Sequence, residues 1–406
     1  MGSGISPWVA ALGATLLMQT VGSFLNQVIP VVAPAMMADL GLPPQTVGNF
    51  SSLNTLGAIL FLLFGTPMVA RYGPLRMIQA GSVIGSLAMV GAASGVVWLL
   101  PFAALMLGMG YGPTGPSGSR ILQQYAPKRH RVLIFSIKQA GAPAGGAVAG
   151  LLAAPIAAAF GWQVAMLTAM GIAITCVLLV QPLRPSLDAE RDRTRSWREA
   201  LTPRRLAAPI TTLRMHKVLP PLTLQAFAFA ALQGSLFSFT VTWLVEAHGM
   251  SLTAAGSIFA AMQLAGVSGR LVLGWAADRL GDATRSLAIH GLCAAGLSTL
   301  WVLAGPGAHW AVAFPLAILC GFTSASWNGI FLAEVARVSP PDRVAEASSG
   351  AILLCFLGYL TAPTAFAWAV GATGSWLLPF LSAGGLLATI SVIVFFLRSG
   401  RDVEAR

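Results

Sequence analysis

The sequence predicts an all-α integral membrane protein of twelve transmembrane helices in two six-helix halves, with both termini in the cytoplasm. Three observations carry that prediction. First, 56% of the 406 residues are hydrophobic, 9% are charged and the mean hydropathy is +0.76. A soluble domain carries about 25% charged residues, so lipid must be part of this chain's solvent. Second, twelve apolar runs each approach the roughly 20 residues that a membrane helix needs. Third, the basic residues fall in every second connection between those runs.

The runs begin near Trp8, Thr46, Leu75, Leu99, Val132, Trp162, Leu219, Leu252, Ser286, Trp310, Glu346 and Trp376. No lysine or arginine precedes the first, so it lacks the basic region of a cleavable signal peptide and reads as a mature span. Arg71 and Arg76 flank the second connection, and Lys128, Arg129 and Arg131 fill the fourth. Nine lysines and arginines from Arg184 to Lys217 occupy the sixth. Arg279 and Arg285 mark the eighth, Arg337 and Arg343 the tenth, and Arg398, Arg401 and Arg406 the tail. The alternate connections hold no lysine or arginine. The positive-inside rule then puts the basic connections and both termini in the cytoplasm, which requires an even number of spans. The net charge of +11 is a topology signal and not the footprint of a nucleic acid. The expected surroundings are a lipid bilayer and a small-molecule substrate, for a monomer in the cytoplasmic (inner) membrane of a bacterium.

Residues 1–184 read as the first half, 185–218 as a charged cytoplasmic linker, 219–398 as the second half and 399–406 as a tail. The linker's SLDAERDRTRSWREALTPRR reads as a helix along the membrane surface. GTPMVARYGPLR follows the second span and GWAADRLGDATR the eighth, with Arg71 and Arg279 separated by 208 residues. The first and seventh spans start 211 residues apart, at Trp8 and Leu219. Agreement between these offsets indicates a parallel internal repeat, a known transporter architecture.

Gly274, Asp278, Arg279 and Gly281 form G-x-x-x-D-R-x-G in the eighth connection. The glycines suit close helix approach and a sharp turn, and the Asp–Arg pair suits a lock between helix ends. This resembles the signature loop of the major facilitator superfamily. The first-half copy keeps Arg71 and Gly73 but has Ala70 where the acid belongs, which puts that half's cytoplasmic latch in doubt. GAPAGGAVAG in the fifth span, with Gly141, Pro143, Gly145 and Gly146, is similar to the superfamily's Gly-Pro-rich fifth-helix motif. Its small residues suit close packing in lipid, and its proline suits a kink. Proton-coupled drug exporters of the superfamily have an arginine early in the fourth helix; aligned on Gly108 and Gly110, Ala104 stands there. GYGPTGPSGSRIL, FSIKQAGAPAGG and SWNGIFLAEVARVSP resemble the bacterial cyanate and nitroimidazole permease branch.

Three cations fall inside spans: Arg120, Lys138 and Arg270. Lys138 lies about 10 Å along the fifth helix from Arg131, and Arg270 about 12 Å before Asp278 on the eighth, at 1.5 Å per residue. Gln263, Gly266 and Arg270 share a stripe at spacings of 3 and 4. The monocarboxylate and oxalate transporters of the superfamily have an arginine at the corresponding point, implicated in carboxylate binding; Gly266 replaces the acid that the monocarboxylate pattern has four residues earlier. In the fold that the resemblance implies, the fifth and eighth helices face each other, with Lys138 and Arg270 beside a central cavity. All thirteen acids lie in connections, in the tail or near helix ends. Intramembrane cations are costly, by about 2.5–3.5 kcal/mol on insertion scales, and a bound anion would relieve that cost, with the arginine fork matching a carboxylate. The competing reading has Lys138 and Arg270 snorkelling to the inner surface. Gln139, Asn26, Gln27, Asn54, Trp327, Asn328 and Tyr359 are further cavity-lining candidates, although interhelical hydrogen bonding is the commoner role for such residues.

The four cysteines sit in apolar runs without C-x-x-C spacing, and the five histidines are scattered. No phosphate-binding G-x-x-x-x-G-K-[ST], H-E-x-x-H or G-x-S-x-G occurs, so neither ATP, a metal, a cofactor nor enzymatic chemistry is expected. The reading that results is a secondary or facilitative transporter of a small, organic anion by alternating access. The alternative within the same fold is a proton-coupled exporter of drugs or neutral metabolites.

Overall fold

The computed structural model describes residues 6–194, 211, 213–305, 310–340 and 343–404. Twelve helices among them are long and apolar enough to cross a membrane. They are α1 (Pro7–Asp39), α2 (Pro44–Tyr72), α3 (Pro74–Ala93), α4 (Val97–Tyr125), α5 (Leu133–Phe160) and α6 (Trp162–Leu187), then α7 (Leu219–Glu246), α8 (Leu252–Ala277), α9 (Ala283–Ala304), α10 (Val312–Val338), α11 (Ala347–Thr373) and α12 (Leu377–Phe396). Each begins within three residues of its expected start. The exposed surface is studded with large apolar side chains such as Trp98, Phe102, Phe160, Trp275 and Trp368, the surface that lipid rather than water covers.

The chain forms two units. One runs from the N-terminus to Gly41 and resumes at Leu53; the other comprises Leu42–Ser52 and the C-terminal part. Within the first, α1 packs on α5 and α3 on α6; within the second, α7 packs on α11 and α9 on α12. The same pairs six helices apart make the repeat geometric as well as sequential. Glycines set the closest approaches: a Cβ added at Gly145 of α5 would lie 2.6 Å from Phe24 N and 2.7 Å from Ser23 Cβ of α1.

In the first unit α5 and α2 both depart from regular winding. Pro143 sits inside α5, where its missing N–H leaves the carbonyl four residues earlier without its helical donor. Further along α5, Ala149–Ala153 widens to a π-turn, as Phe61–Gly65 does in α2. Sixteen linker residues, 195–210, lie outside the described residues, and with them most of the expected surface helix. The part that is described, 188–194, is turn and extended chain, because Asp188 folds back onto α3.

Candidate functional site

In the first unit α4 is interrupted at Gly112 and Pro113 and restarts as Thr114–Tyr125. Pro113 and Pro116 have no N–H for the carbonyls four residues back, so regular bonding fails here. Lys138 of α5 reaches this point. Its Nζ donates to Thr114 O at 3.3 Å and to Gln139 Oε1 at 3.2 Å. The side chain is 2% exposed. Its stem lies over Gly118, where an added Cβ would come within 2.7 Å of Lys138 Cε. A lysine folded onto the neighbouring helix has not snorkelled to the surface; the ammonium is held inside the unit. Gln139 itself is exposed.

Around it, Gly141, Pro143, Gly145 and Gly146 are all buried. Gly141 and Gly145 meet the backbone of α1, and Ser23 Oγ of α1 donates to Ala142 O. This motif makes close packing. Asn54 Nδ2 of α2 donates to Asn26 Oδ1 of α1, whose own Nδ2 donates to Gly22 O at 2.8 Å. Both asparagines therefore make an interhelical bond, and both stay half-buried. Arg120 is drawn to the linker instead of the helix core, with Nη2 donating to Glu190 O at 3.4 Å.

In the second unit α10 is interrupted at Ala325, Ser326 and Trp327 and restarts as Asn328–Val338. No proline causes this break. Hydroxyls compete for the backbone carbonyls: Thr323 Oγ1 bonds Leu319 O at 3.0 Å, and Ser326 Oγ bonds Phe322 O at 2.5 Å. Neighbouring helices take the rest. Arg270 Nε of α8 donates to Ala325 O at 3.0 Å, and His290 Nε2 of α9 donates to Thr323 O at 2.7 Å. The half-buried guanidinium thus stands at the C-terminal, electronegative end of the first α10 segment and beside the N-terminus of the second. Gly266 does not leave room for a ligand beside it, as its spacing led us to expect; that space belongs to α10, since an added Cβ would meet Ala325 Cβ at 2.7 Å. Gln263 on the same stripe is 1% exposed, and no described residue bonds its Oε1.

Trp327 and Tyr359, singled out separately in the sequence, meet at one residue the sequence did not flag. Gln233 Oε1 of α7 accepts from Trp327 Nε1 at 2.9 Å and from Tyr359 OH at 2.6 Å. Phe229 stacks on the Trp327 ring at 5.3 Å. Trp327 is fully buried, so in this conformation it orients Gln233 and offers no surface of its own. Asn328, the first residue of the restarted segment, is half-buried.

The two signature turns differ. In the second half Gly281 has φ +68 and closes α8 with its N–H on Ala277 O, and Asp282 caps α9 through Arg285 N at 3.1 Å. Arg279 is exposed over the Trp275 ring at 4.6 Å; the Asp278 side chain lies outside the described residues. Gly274 meets nothing within 4 Å of an added Cβ, so it serves no close approach here. In the first half Gly73 has φ +101, and the exposed Arg71 lies near the Tyr72 ring. Ala70 supplies no acid, but Asp188 does: its carboxylate, 2% exposed, accepts from Leu75 N at 2.7 Å and Arg76 N at 3.1 Å, with Arg184 at 3.5 Å. An added Cβ at Gly73 would strike Asp188. Burial pushes the Asp188 carboxyl above its ordinary pKa, opposed by the two backbone donors and Arg184. The acid missing at position 70 is therefore supplied to this turn by Asp188.

Comparison with known proteins agrees with this architecture. The chain is 26% identical to a hexuronate transporter of Bacillus subtilis (strain 168), over 90% of this chain and 89% of that one. It is 23% identical to a probable sulfoacetate transporter of Cupriavidus necator over 97% and 94%, and 26% identical to a 4-hydroxybenzoate transporter of Pseudomonas aeruginosa over 61% of each. Among solved structures, a bacterial homologue of the human lysosomal transporter Spinster, inward-facing and occupied, superposes with a TM-score of 0.76 at 17% identity, covering 98% of both chains. A peptide transporter in complex with sulfate gives 0.76 at 15% identity, covering 98% and 96%; at these identities the likeness is one of fold. Residues 14–363 match the family model for the Major Facilitator Superfamily, and the chain belongs to that superfamily: a multi-pass membrane transporter and not an enzyme.

Proposed function

We propose that this protein carries small organic carboxylates across the inner membrane of a bacterium by alternating access, as a monomer with its basic connections and termini in the cytoplasm. The observation that carries this reading is Arg270, whose guanidinium is anchored by Nε to Ala325 O at the interruption of α10. A guanidinium fork matches a carboxylate, and the restarted segment begins there with backbone N–H groups that favour an anion. Lys138, held at the interruption of α4, is the anion-attracting cation of the first half. Gln139, Gln263, Asn26, Asn54, Asn328 and Tyr359 are proposed to act around these cations, with Trp327 acting through Gln233. The substrates named for the relatives, hexuronate, sulfoacetate and 4-hydroxybenzoate, share a carboxylate and little else. That common group is the reason to read Arg270 as a carboxylate contact; the shorter resemblance to cyanate permeases fits an anion as well.

The test is uptake of glucuronate, sulfoacetate and 4-hydroxybenzoate into proteoliposomes. The wild-type protein takes up at least one of them saturably, and Arg270→Gln loses about 10- to 100-fold in uptake at low substrate, as removal of a charge-assisted contact of about 1.5–3 kcal/mol implies. Normal saturable uptake of each transported carboxylate by Arg270→Gln would sink the assignment.

A further inference from the structure

We infer that Gln233 of α7 is a specificity-determining residue whose side-chain amide donates to a second oxygen of the transported carboxylate. The inference rests on the carboxylate reading above. It narrows the substrate class to carboxylates that carry a further oxygen acceptor away from the group that Arg270 holds.

The orientation of the amide follows from its partners. An indole N–H only donates, so the Gln233 atom 2.9 Å from Trp327 Nε1 is the oxygen, which settles which way round the amide lies. Tyr359 OH donates to the same Oε1 at 2.6 Å. A carbonyl oxygen has two lone pairs, and both are taken. The amide nitrogen, with two N–H groups, is therefore turned away from Trp327 and Tyr359. It bonds no described residue, yet it is not among the side-chain atoms that packing seals from solvent. The side chain as a whole is 5% exposed. A buried glutamine thus presents two donors to accessible space.

Three other buried glutamines are arranged the opposite way. Gln19 Nε2 donates to Tyr111 OH at 2.7 Å, Gln79 Nε2 to Val177 O at 3.1 Å, and Gln225 Nε2 to Ser391 Oγ at 3.3 Å. In each, the oxygen is the atom left sealed without a partner. Their donors tie helices together. In Gln233 the oxygen does that and the donors are left over. Buried polar groups are as a rule satisfied, so the partner of these donors comes from outside the chain, as water or as a ligand.

The amide is also rigidly mounted. Phe229 stacks on the Trp327 ring at 5.3 Å and Phe331 packs against it at 5.8 Å. Gly234 lets the Tyr359 ring lie close to α7, since an added Cβ would stand 3.0 Å from Tyr359 Cδ1. With Trp327 from α10 and Tyr359 from α11, three helices hold one amide in a preset direction, which lowers the ordering cost of binding. Arg270 is tied to Ala325 O and Gln233 to Trp327, two residues apart in α10 with Cα atoms at most about 7.6 Å from one another. One interruption therefore anchors a cationic fork that matches a carboxylate and a neutral donor pair that matches a hydroxyl, carbonyl or sulfonate oxygen. A purely apolar far end would desolvate those donors without replacing their bonds, which disfavours it.

The experiment measures ligand affinity by thermal stabilisation, confirmed by competition for uptake, in pairs that differ at the far end of the molecule. The pairs are 4-hydroxybenzoate against benzoate, sulfoacetate against propionate, and glucuronate against cyclohexanecarboxylate. Wild type binds the oxygen-bearing member of at least one pair about 10-fold more tightly. Gln233→Met, similar in size but without the amide, erases that preference by weakening the oxygen-bearing member alone. Tyr359→Phe removes one of the two bonds on Oε1 and lowers the preference about 3-fold, again without changing the other member, a selectivity that general loosening of the fold would not produce. Arg270→Gln weakens both members. If Gln233→Met does not fold, the wild-type comparison and Tyr359→Phe decide. Equal affinity within every pair in wild type, or an undiminished preference in Gln233→Met or Tyr359→Phe, overturns the inference and leaves the reading of Arg270 standing. Binding of none of the carboxylates overturns both.

Discussion

The two halves meet the same structural demands with different chemistry. Each interrupts its fourth helix near the middle and brings a basic side chain to a carbonyl at the interruption: Lys138 to Thr114 O in the first half and Arg270 to Ala325 O in the second. In α4 the interruption is covalent, because Pro113 and Pro116 cannot donate. In α10 it is held by partners, through the hydroxyls of Thr323 and Ser326 and the side chains of Arg270 and His290. The signature turns differ likewise. Asp282 caps α9 from the adjacent position, whereas α3 is capped by Asp188, 113 residues away from Leu75. The lesson is that a break imposed by proline is written into the chain itself, while one made by side-chain hydrogen bonds is decided by tertiary partners.

That contrast breaks first at Arg270. Arg270→Lys keeps the charge but loses the planar fork, so carboxylate uptake should stay closer to Arg270→Gln than to wild type; full activity would mean that charge alone suffices. Next comes Gly73→Ala, which forces a Cβ into a left-handed backbone and onto Asp188. Thermal unfolding in detergent should show a loss of about 2 kcal/mol or more. Asp188→Ala strands two backbone N–H groups that Asp188 satisfies in a buried site, and should cost about 2 kcal/mol, against about 1 kcal/mol for Asp282→Ala at an exposed cap. Equal losses would remove the distinction between the two turns.

The smallest effect is a pH slope. Because the folded pKa of Asp188 is raised by burial, its contribution is fully present below the unfolded carboxylate value of about 3.9 and is lost as pH rises through the folded value. The melting temperature of wild type should therefore fall across that window relative to Asp188→Asn. A parallel pair of curves would show that the carboxyl titrates normally.

Much of this architecture was legible in the chain. Hydrophobic run length and the alternation of basic connections located all twelve helices, and G-x-x-x-D-R-x-G located the α8–α9 turn with its left-handed Gly281. The residues that hold the interruptions were harder to see. Lys138 and Arg270 stood out because a charge in an apolar run is conspicuous. Gln233 did not, since neither of the two glutamines of α7, Gln225 and Gln233, is as conspicuous in an apolar run as a charge, yet Gln233 joins Trp327 and Tyr359. His290 looked like one of five scattered histidines until α10 opened beside it. Asp188 was hidden by sequence distance, and the stripe through Gly266 pointed to α10 packing where spacing had indicated room for a ligand. Local pattern reveals helices and charges; which carbonyl a helix break exposes, and who satisfies it, is decided by tertiary packing.

The most direct test of the central claim is ligand-induced thermal stabilisation of the purified protein, with 4-hydroxybenzoate, glucuronate and sulfoacetate compared against the methyl esters of the first two. The account predicts a concentration-dependent rise in melting temperature for at least one free carboxylate, absent for its neutral ester and absent in Arg270→Gln. Equal stabilisation by acid and ester, or stabilisation retained in Arg270→Gln, would contradict it.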